Sequence, residues 1–199
     1  MTTPGRPTRA DAVRNRAKIL DAARDEISAR GPEVGMDDIA KSAGVAVGTL
    51  YRHFPTKVDL VAAVIAQYLE QMAAAAEAAR HRAATGGSPL AALIDFLREV
   101  IRVSAMNAAV KSAAPALGAA TTGDETQGAA ALAELIDAGI EAGQVRGDLT
   151  VSDIFTLILA APLDQPAPVR DRWAELMLPC LTADAAAIDI DEIGRRPID

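Results

Sequence analysis

The sequence is poor in the residues that build disulfide-linked or metal-dependent proteins. Cys180 is its one cysteine, and it has only two histidines, His53 and His81. One thiol excludes an intramolecular disulfide and a cysteine-rich metal site, and two isolated histidines do not make a histidine metal cluster. We therefore expect no metal site and no cofactor.

Aromatic residues make up only 3% of the 199 residues, although half of the chain is hydrophobic. Alanine and leucine dominate instead, which favours helices over strands. No uninterrupted apolar run approaches the roughly 20 residues needed to cross a bilayer. Residues 1–18 lack the apolar segment of a signal peptide. These features predict an all-α, soluble, cytoplasmic protein that does not bind a membrane.

Sequence motifs of the common enzyme classes are absent as well. The sequence contains no G-x-x-x-x-G-K-[ST], no G-x-G-x-x-G, no G-x-S-x-G and no H-E-x-x-H. Its acidic residues recur at helical spacing on polar faces, where a solvated surface is the ordinary explanation. We therefore expect no enzymatic activity.

Acidic residues outnumber basic ones, with a net charge of −7, but the two signs are unevenly distributed. Residues 1–60 hold ten Lys and Arg against eight Asp and Glu, whereas residues 61–199 hold ten against nineteen. The basic residues among the first twenty are Arg6, Arg9, Arg14, Arg16 and Lys18. A basic N-terminal region on an acidic body would orient that region towards DNA. Alternatively, these charges only solvate a helix face.

Residues 36–60 carry the most informative pattern, which predicts a short helix, a turn, a second short helix and the start of a third. Gly44 stands at the turn, because glycine adopts a left-handed backbone without a Cβ penalty. The second helix spans about 46–54, and its Leu50 and Phe54 share one face that can pack on the preceding helices. Its other faces carry Val47, Gly48, Thr49, Tyr51, Arg52 and His53. This is the layout of a recognition helix that enters the major groove of DNA.

The pattern I-A-x-x-A-G-V-x-x-G-T-L-Y-R-H-F-x-x-K-x-x-L, from Ile39 to Leu60, resembles the DNA-binding domain of the tetracycline-repressor (TetR) family. The segment from Ile19 to Gly31 resembles the first helix of such domains. This resemblance covers about residues 12–65, and the rest agrees only in length and helical character. It implies an N-terminal three-helix helix-turn-helix domain followed by a C-terminal helical ligand-binding and dimerisation domain.

Two positions depart from the family pattern. Family members usually carry Ser or Thr just before the second helix and at the start of the recognition helix, where this chain has Gly35 and Ala46. Glycine is a fair N-cap and alanine a poor one, at a cost of about 1 kcal/mol for a lost hydroxyl cap. The same hydroxyls often contact phosphate in the family, so we expect this chain to lack one or two such backbone contacts per subunit.

Lys57 is the predicted phosphate contact. Thr56 and Asp59 have the spacing of a capping box, which places Lys57 in the first turn of the next helix. A cation there opposes the helix dipole, so its position needs a reason. A phosphate supplies one, and the family resemblance implies the same. The alternative is an ordinary exposed lysine.

The remaining sequence divides into helices at clear breaks. Ser88 and Pro89 have the character of an N-cap and first helical residue, and Thr150 with Asp153 forms a second capping box. The predicted helices outside the motif are 11–30, 56–84, one from 89, 129–143, one from 150, and 169–181, with loops at 118–128 and 162–168. The predicted domains are a basic arm (1–10), a helix-turn-helix domain (11–55), a regulatory and dimerisation domain (56–182) and a tail (183–199).

The last two predicted helices are the candidates for a dimer interface. One recognition helix reads only a few base pairs, so tight specific binding normally needs two half-sites and therefore two subunits. The candidate interface residues are Ile154, Ile158, Trp173, Leu176 and Met177. Alternatively, these side chains all serve the core of the monomer.

An apolar cavity in the C-terminal domain is the candidate effector site. Its plausible lining residues are Tyr68, Met72, Phe96, Val100, Val103, Met106 and Phe155. An apolar stripe at helical spacing is more often plain core, so each of them has that alternative. A ligand could act only by binding one spacing of the two DNA-binding domains more tightly than another.

Together these features predict a sequence-specific DNA-binding transcriptional regulator, and a repressor released by a small-molecule effector rather than an activator. Its expected partners are double-stranded operator DNA, a second copy of the chain and an unidentified small molecule. One alternative is a helical small-molecule binding protein or enzyme with a non-functional helix-turn-helix, supported only by the missing hydroxyls at Gly35 and Ala46. Another is a structural DNA binder that responds to no ligand.

Overall fold

The computed structural model describes residues 9–119 and 128–184, and this part of the chain is built of α-helices, as the sequence predicts. Residues 1–8, 120–127 and 185–199, which include most of the predicted N-terminal arm, loop and tail, lie outside the described residues. Arg9 and Ala10 of the predicted arm belong instead to the first helix. The helices are α1 (Arg9–Arg30), α2 (Met36–Ser42), α3 (Val47–His53), α4 (Lys57–Ala84), α5 (Pro89–Ala113), α6 (Ala129–Glu141), α7 (Val151–Ala160) and α8 (Ala167–Met177), followed by a 3₁₀ turn at Leu178–Leu181.

The helices form two compact units. The first unit comprises Met1–Leu69 and Met106–Asp124, and the second comprises Glu70–Ala105 and Glu125–Asp199. Helices α4 and α5 therefore each contribute one end to each unit. The predicted boundary between domains at residue 55 stays a prediction.

The first unit has a continuous apolar core. Helix α1 contributes residues at helical spacing, Leu50 and Phe54 come from α3 and its C-cap, and α4 adds its first two turns. The C-terminal end of α5 joins this core through Val110, Ala113 and Ala114. The buried residues of α1 and α4 in this core are Ile19, Leu20, Ala22, Ala23, Ile27, Leu60, Val61, Val64 and Ile65.

Two arginines of α1 connect it to other helices of the first unit. Arg24 donates from Nε to Asn107 Oδ1 of α5 at 3.2 Å, and from its terminal nitrogen to Gln67 of α4 at 3.3 Å. Arg30 pairs with Glu26 at 3.1 Å and with Asp38 of α2 at 3.0 Å. The hydrogen bond that Arg30 donates to Glu26, together with the charge of Asp38, raises the pKa of Arg30.

The second unit has a separate core. It includes Leu93, Phe96, Leu97 and Val100 of α5, which confirms that α5 is a buried, central helix. The other buried residues of this core include Ala76, Ala79, Leu132, Leu135, Ile136, Ile154, Ile158, Ala174, Leu178 and Leu181. Backbone bonds also connect 144–146 with 181–183, where Arg146 N donates to Leu181 O at 3.0 Å and Val145 forms an isolated antiparallel bridge with Thr182.

The predicted capping residues begin the helices as expected. The Thr56 amide donates to the Asp59 carboxylate at 3.0 Å, and the Thr56 hydroxyl accepts from the Asp59 amide at 3.1 Å. Thr150 and Asp153 form the same box, and the hydrogen bond from the Thr150 hydroxyl, followed by that from its amide, lowers the pKa of Asp153. The Ser88 hydroxyl accepts from the Ala91 amide at 3.2 Å.

Several helix ends differ from their predicted positions. Helix α1 begins at Arg9 rather than 11, and α8 ends at Met177 rather than 181, where a 3₁₀ turn follows it. Helix α8 begins at Ala167 rather than 169, because Pro168 is tolerated in the first turn, where its missing N–H is not needed. Helix α6 ends at Glu141 rather than 143, and Gly143 takes the left-handed conformation beyond its C-cap with φ +65°. Gly139, inside α6, is packed so closely by Val145 that a Cβ atom would not fit.

Helix α4 is, within the described residues, the one helix whose length and composition would let it cross a membrane. The apolar residues of its first turns, such as Leu60 and Val64, lie in the core of the first unit. Ala76 and Ala79 lie in the core of the second. Core helices of water-soluble proteins commonly have this composition, so α4 does not indicate a membrane protein.

Candidate nucleic-acid interface

A glycine turn sets the direction of α3 relative to α2. The amide of Gly44 donates to Lys41 O at 3.1 Å, and that of Val45 donates to Ala40 O at 3.0 Å. With φ +65° at Gly44, this pair of bonds is a Schellman motif, in which the left-handed residue closes one helix and redirects the chain. The chain is extended at Ala46, and α3 begins at Val47. The predicted helix-turn-helix is confirmed.

Helix α3 is anchored by Leu50 and Phe54, as predicted. Leu50 is fully buried, and Phe54, the C-cap, is buried beside it and donates its amide to Leu50 O at 2.8 Å. These two side chains lie in the core formed with α1, α2 and α4. Because they fix one face, the orientation of every other side chain on this short helix is fixed as well.

The opposite side of α3 faces solvent. Tyr51 is 44% exposed and Val47 is 41% exposed. Gly48 and Arg52 are also exposed, whereas Thr49 and His53 are half-buried. All six predicted groove-facing residues therefore reach the surface, where a phenol, a guanidinium, a hydroxyl and an imidazole can meet base edges or phosphates.

Tyr51 and Arg52 make no side-chain hydrogen bond or ion pair with any residue in the described part of the chain. Other arginines of this unit do: Arg14 pairs with Asp11, and Arg24 with Asp21. The polar groups on the exposed side of α3 are thus not used to hold the fold together. They remain available to an external partner.

The short helices α2 and α3 lack side-chain caps. Gly35 and Ala46 occupy the N-cap positions, and neither accepts a side-chain hydrogen bond from the first turn. The first turn of α3 therefore presents backbone N–H groups without an intramolecular side-chain acceptor. This agrees with the departure from the family pattern seen in the sequence.

Lys57 occupies a different environment from the one that the sequence suggests. Its ammonium donates to the backbone carbonyl of Val34 at 2.6 Å and to that of Pro32. These carbonyls lie in the loop between α1 and α2, more than 20 residues earlier in the chain, so spacing along the sequence could not reveal them. An ammonium has three donors, and a phosphate contact by the third stays a prediction.

The seven candidate effector residues are divided between the two units. Tyr68 and Met106 belong to the first unit, where the Lys111 ammonium lies 5.0 Å from the centre of the Tyr68 ring. Phe96 and Val100 are buried in the core of the second unit, and half-buried Met72 packs against that core. Val103 is buried, whereas Met106 and Phe155 are exposed. Their role as a ligand pocket stays a prediction.

Two surface clefts of the second unit are lined by other residues. One, of about 380 Å³, lies between α5 and α8 and is lined by Asp95, Arg98, Glu99, Ile101, Arg102, Ala167, Arg170, Asp171 and Ala174. In it, the Arg102 guanidinium binds Glu99 at 2.6 Å and lowers the pKa of that carboxyl. The other, of about 360 Å³, is lined by Arg146, Asp148, Leu149, Asp153, Thr156, Leu157, Cys180 and Leu181. None of the candidate effector residues lines either cleft.

The candidate interface residues fall into two groups. Ile154 and Ile158 are buried in the core of the second unit, and half-buried Trp173 packs against it. Leu176 is 61% exposed and Met177 is 37% exposed. Ile154 and Ile158 therefore have almost no surface to offer a partner. Leu159, on the same helix as these two isoleucines, is 80% exposed.

Within residues 9–119 and 128–184, no group of three His, Cys, Asp or Glu side chains is arranged to hold a metal ion. Cys180 is a free thiol whose pKa is raised by burial.

Comparison with known proteins matches an N-terminal and a C-terminal segment of the chain to family models. Residues 19–64 match the family described as "Bacterial regulatory proteins, tetR family". Residues 88–182 match that described as "Transcriptional regulator SbtR-like, C-terminal domain". The first match contains α3 and its anchors, and the second spans α5 to α8.

Two solved structures and one curated protein are similar to this chain. The TetR transcription regulatory protein from Mycobacterium vanbaalenii is 36% identical with a TM-score of 0.70, over 87% of this chain and 98% of that one. The TetR transcriptional regulator SCO0520 from Streptomyces coelicolor is 29% identical with a TM-score of 0.67, over 84% and 98%. The HTH-type transcriptional repressor KstR from Mycolicibacterium smegmatis is 43% identical over 82 residues, which are 40% of this chain and 39% of that protein. The chain spans less than half the length of the curated relatives it matches.

Proposed function

Because this chain belongs to the TetR family of bacterial regulatory proteins, we propose that it regulates transcription by binding operator DNA through α3. The observation that carries the proposal is the division of α3 into two sides. Leu50 and Phe54 are buried, whereas Tyr51 is exposed and has no intramolecular partner among the described residues. A helix anchored in this way can enter the major groove without disturbing the core beneath it.

Each residue on the solvent-facing side of α3 has a role that its chemistry suits. In this proposal Thr49, Tyr51 and Arg52 donate to base edges or phosphates, and His53 donates to a phosphate at the end of the helix. Val47 offers methyl groups to the methyl group of thymine. Gly48 lies beside it, and apart from its chain neighbours and the nearby backbone of α3 no atom of the protein stands within 4 Å of where a Cβ would be, so the duplex can approach the backbone there.

The functional assembly that we propose is a homodimer. One copy of α3 reads only a few base pairs, and two copies related by a twofold axis read two half-sites. The exposed apolar side chains on the last two helices, including Phe155, Leu159, Leu176 and Met177, are the surface that a second copy would cover. The buried apolar residues of α7, Ile154 and Ile158, pack in the core of the second unit instead.

We further propose that the protein is a cytoplasmic repressor that a small molecule releases from DNA. The similar protein from Mycolicibacterium smegmatis is named a repressor. Helices α4 and α5 each contribute to both units, so they are continuous chain segments through which a ligand in the second unit could act on the first. Such a ligand must bind the released state more tightly than the DNA-bound state.

Binding to the DNA upstream of its own coding region tests this function. A labelled fragment of that DNA should be shifted by the protein in the presence of excess unrelated duplex, because base contacts add to phosphate contacts only at the operator. Equal competition by unrelated duplex would support a structural DNA binder. Failure to bind this fragment or any member of a random duplex library would support a helical small-molecule binding protein or enzyme.

A further inference from the structure

Arg16 stands out among the basic residues of α1 by the face that it occupies. It precedes Ile19 and Leu20 by three and four residues, so it continues the same helix face towards the N-terminus. Ile19 and Leu20 are fully buried, whereas Arg16 is exposed. The apolar face of α1 therefore ends in a cation, at the margin of the core of the first unit.

The guanidinium of Arg16 has a defined resting place. Its central carbon lies 5.6 Å from the centre of the Phe54 ring, and it lies over that ring. Phe54 is the C-cap of α3, and its ring centre is 6.2 Å from that of His53. A residue of α1 is thus held beside the last residues of the helix that faces DNA.

Stacking on an aromatic ring leaves the donors of an arginine available. The N–H groups of a guanidinium lie in its plane and suit the oxygens of phosphate. Arg14, two residues earlier, is neutralised by Asp11. Arg16 has no carboxylate within ion-pair distance among the described residues, so its charge is not compensated inside the protein.

We propose that Arg16 binds a DNA phosphate at the edge of the groove that α3 enters, held for that purpose on the ring of Phe54. This inference rests on the proposed function and adds a contact from α1 to it. Phe54 then serves two purposes, since one part of its ring fills the core and another supports the arginine. A phosphate contact positions the protein on the duplex and carries no sequence preference of its own.

Lys18 provides a matched control on the same helix. It is exposed, it forms no ion pair in the described part of the chain, and it lies two residues from Arg16, about 200° round the helix. Arg16→Gln and Lys18→Gln remove the same charge from positions two residues apart, on opposite sides of the helix. Any difference between them reports a direct contact rather than a change in overall charge.

The test is the salt dependence of binding to the upstream DNA and to unrelated duplex, measured for the wild type and both variants. Arg16→Gln should weaken binding to both duplexes by about tenfold or more. It should lower the slope of log K against log salt by about 0.9 for each phosphate that the variant no longer binds. Lys18→Gln should leave the slope unchanged, and Arg16→Lys should restore it, because the charge returns.

Three results would overturn the inference. Arg16→Gln could match Lys18→Gln in both affinity and slope. Alternatively, it could weaken binding to the upstream DNA alone, which would indicate base recognition instead of a phosphate contact. A wild type that binds no duplex would overturn the proposed function together with this inference, whereas the first two results leave that function intact. Circular dichroism at each salt concentration shows whether the folded fraction is constant; where it is, the slope does not depend on that fraction, and a loss of stability is distinguished from the expected result.

Discussion

The ammonium nitrogen of Lys57 lies 2.6 Å from the backbone carbonyl oxygen of Val34. The same nitrogen donates to the carbonyl of Pro32, so the first residue of α4 holds the loop between α1 and α2 in place. These two bonds explain why a cation occupies the N-terminus of a helix, and no contact with nucleic acid is needed to explain it. Two of its three donors are occupied inside the protein, and one remains for a phosphate.

Lys57→Met should therefore destabilise the protein. The substitution keeps most of the stem and removes the donors, and loss of hydrogen bonds to a charged group costs about 2 kcal/mol. Urea denaturation measures the change in the free energy of unfolding. Lys41→Met is the control, because Lys41 is exposed and has no such partner among the described residues. Equal stability of both variants and the wild type would show that the bonds to Pro32 and Val34 contribute nothing.

The same variant tests the phosphate contact when binding is measured under conditions in which it is folded. If the third donor of Lys57 binds phosphate, binding to all sequences weakens about equally and the salt slope falls by about one unit for each contact. An unaltered slope would restrict Lys57 to its structural role.

Tyr51→Ala should abolish operator binding without changing helix content. Its side chain is exposed and forms no intramolecular bond in the described part of the chain, so its removal leaves no gap in the core. Gel shift and circular dichroism measure the two properties. Tyr51→Phe separates the contribution of the hydroxyl from that of the ring. Wild-type affinity in Tyr51→Ala would remove α3 from the interface.

Gly48→Ala should separate stability from function. A Cβ atom at Gly48 would meet nothing within 4 Å, so the fold does not require glycine there. Alanine in a helix is favoured over glycine by about 1 kcal/mol, so the variant should be more stable. It should nevertheless bind operator more weakly, because the methyl group stands where the duplex approaches. A variant that gains stability and keeps full affinity would show that this part of α3 stays away from DNA.

Leu159→Asp should dissociate the proposed dimer while the monomer stays folded. Leu159 is 80% exposed on α7, so the charge costs little in a monomer and much in an apolar interface. Sedimentation velocity measures the change in mass. Val13→Asp is the control, since Val13 is 64% exposed in the first unit. An unchanged dimer in Leu159→Asp would place the interface elsewhere.

The sequence predicted those features that depend on residues close together along the chain. The capping boxes at Thr56 and Thr150 and the turn at Gly44 all involve residues within five positions of each other. The burial of Leu50 and Phe54 follows from helical spacing alone. The position of α3 and the identity of its exposed residues could therefore be predicted from the sequence.

What the sequence could not predict depends on residues far apart along the chain. Arg24 and Asn107 are separated by 83 positions, and Lys57 binds carbonyls of a loop that carries no side-chain signal. On α7, Ile154 and Leu159 are equally apolar, yet one is fully buried and the other exposed. Periodicity showed that the helix is apolar, but only the packing of its neighbours decides which face is covered.

Selection of bound sequences from a random duplex library tests the central claim, that α3 reads DNA twice in each assembly. The account predicts an enriched inverted repeat, whose half-sites are separated by one helical turn or a multiple of it. It also predicts that Tyr51→Ala loses this enrichment. Enrichment of a lone, asymmetric site, or of no sequence at all, would contradict it.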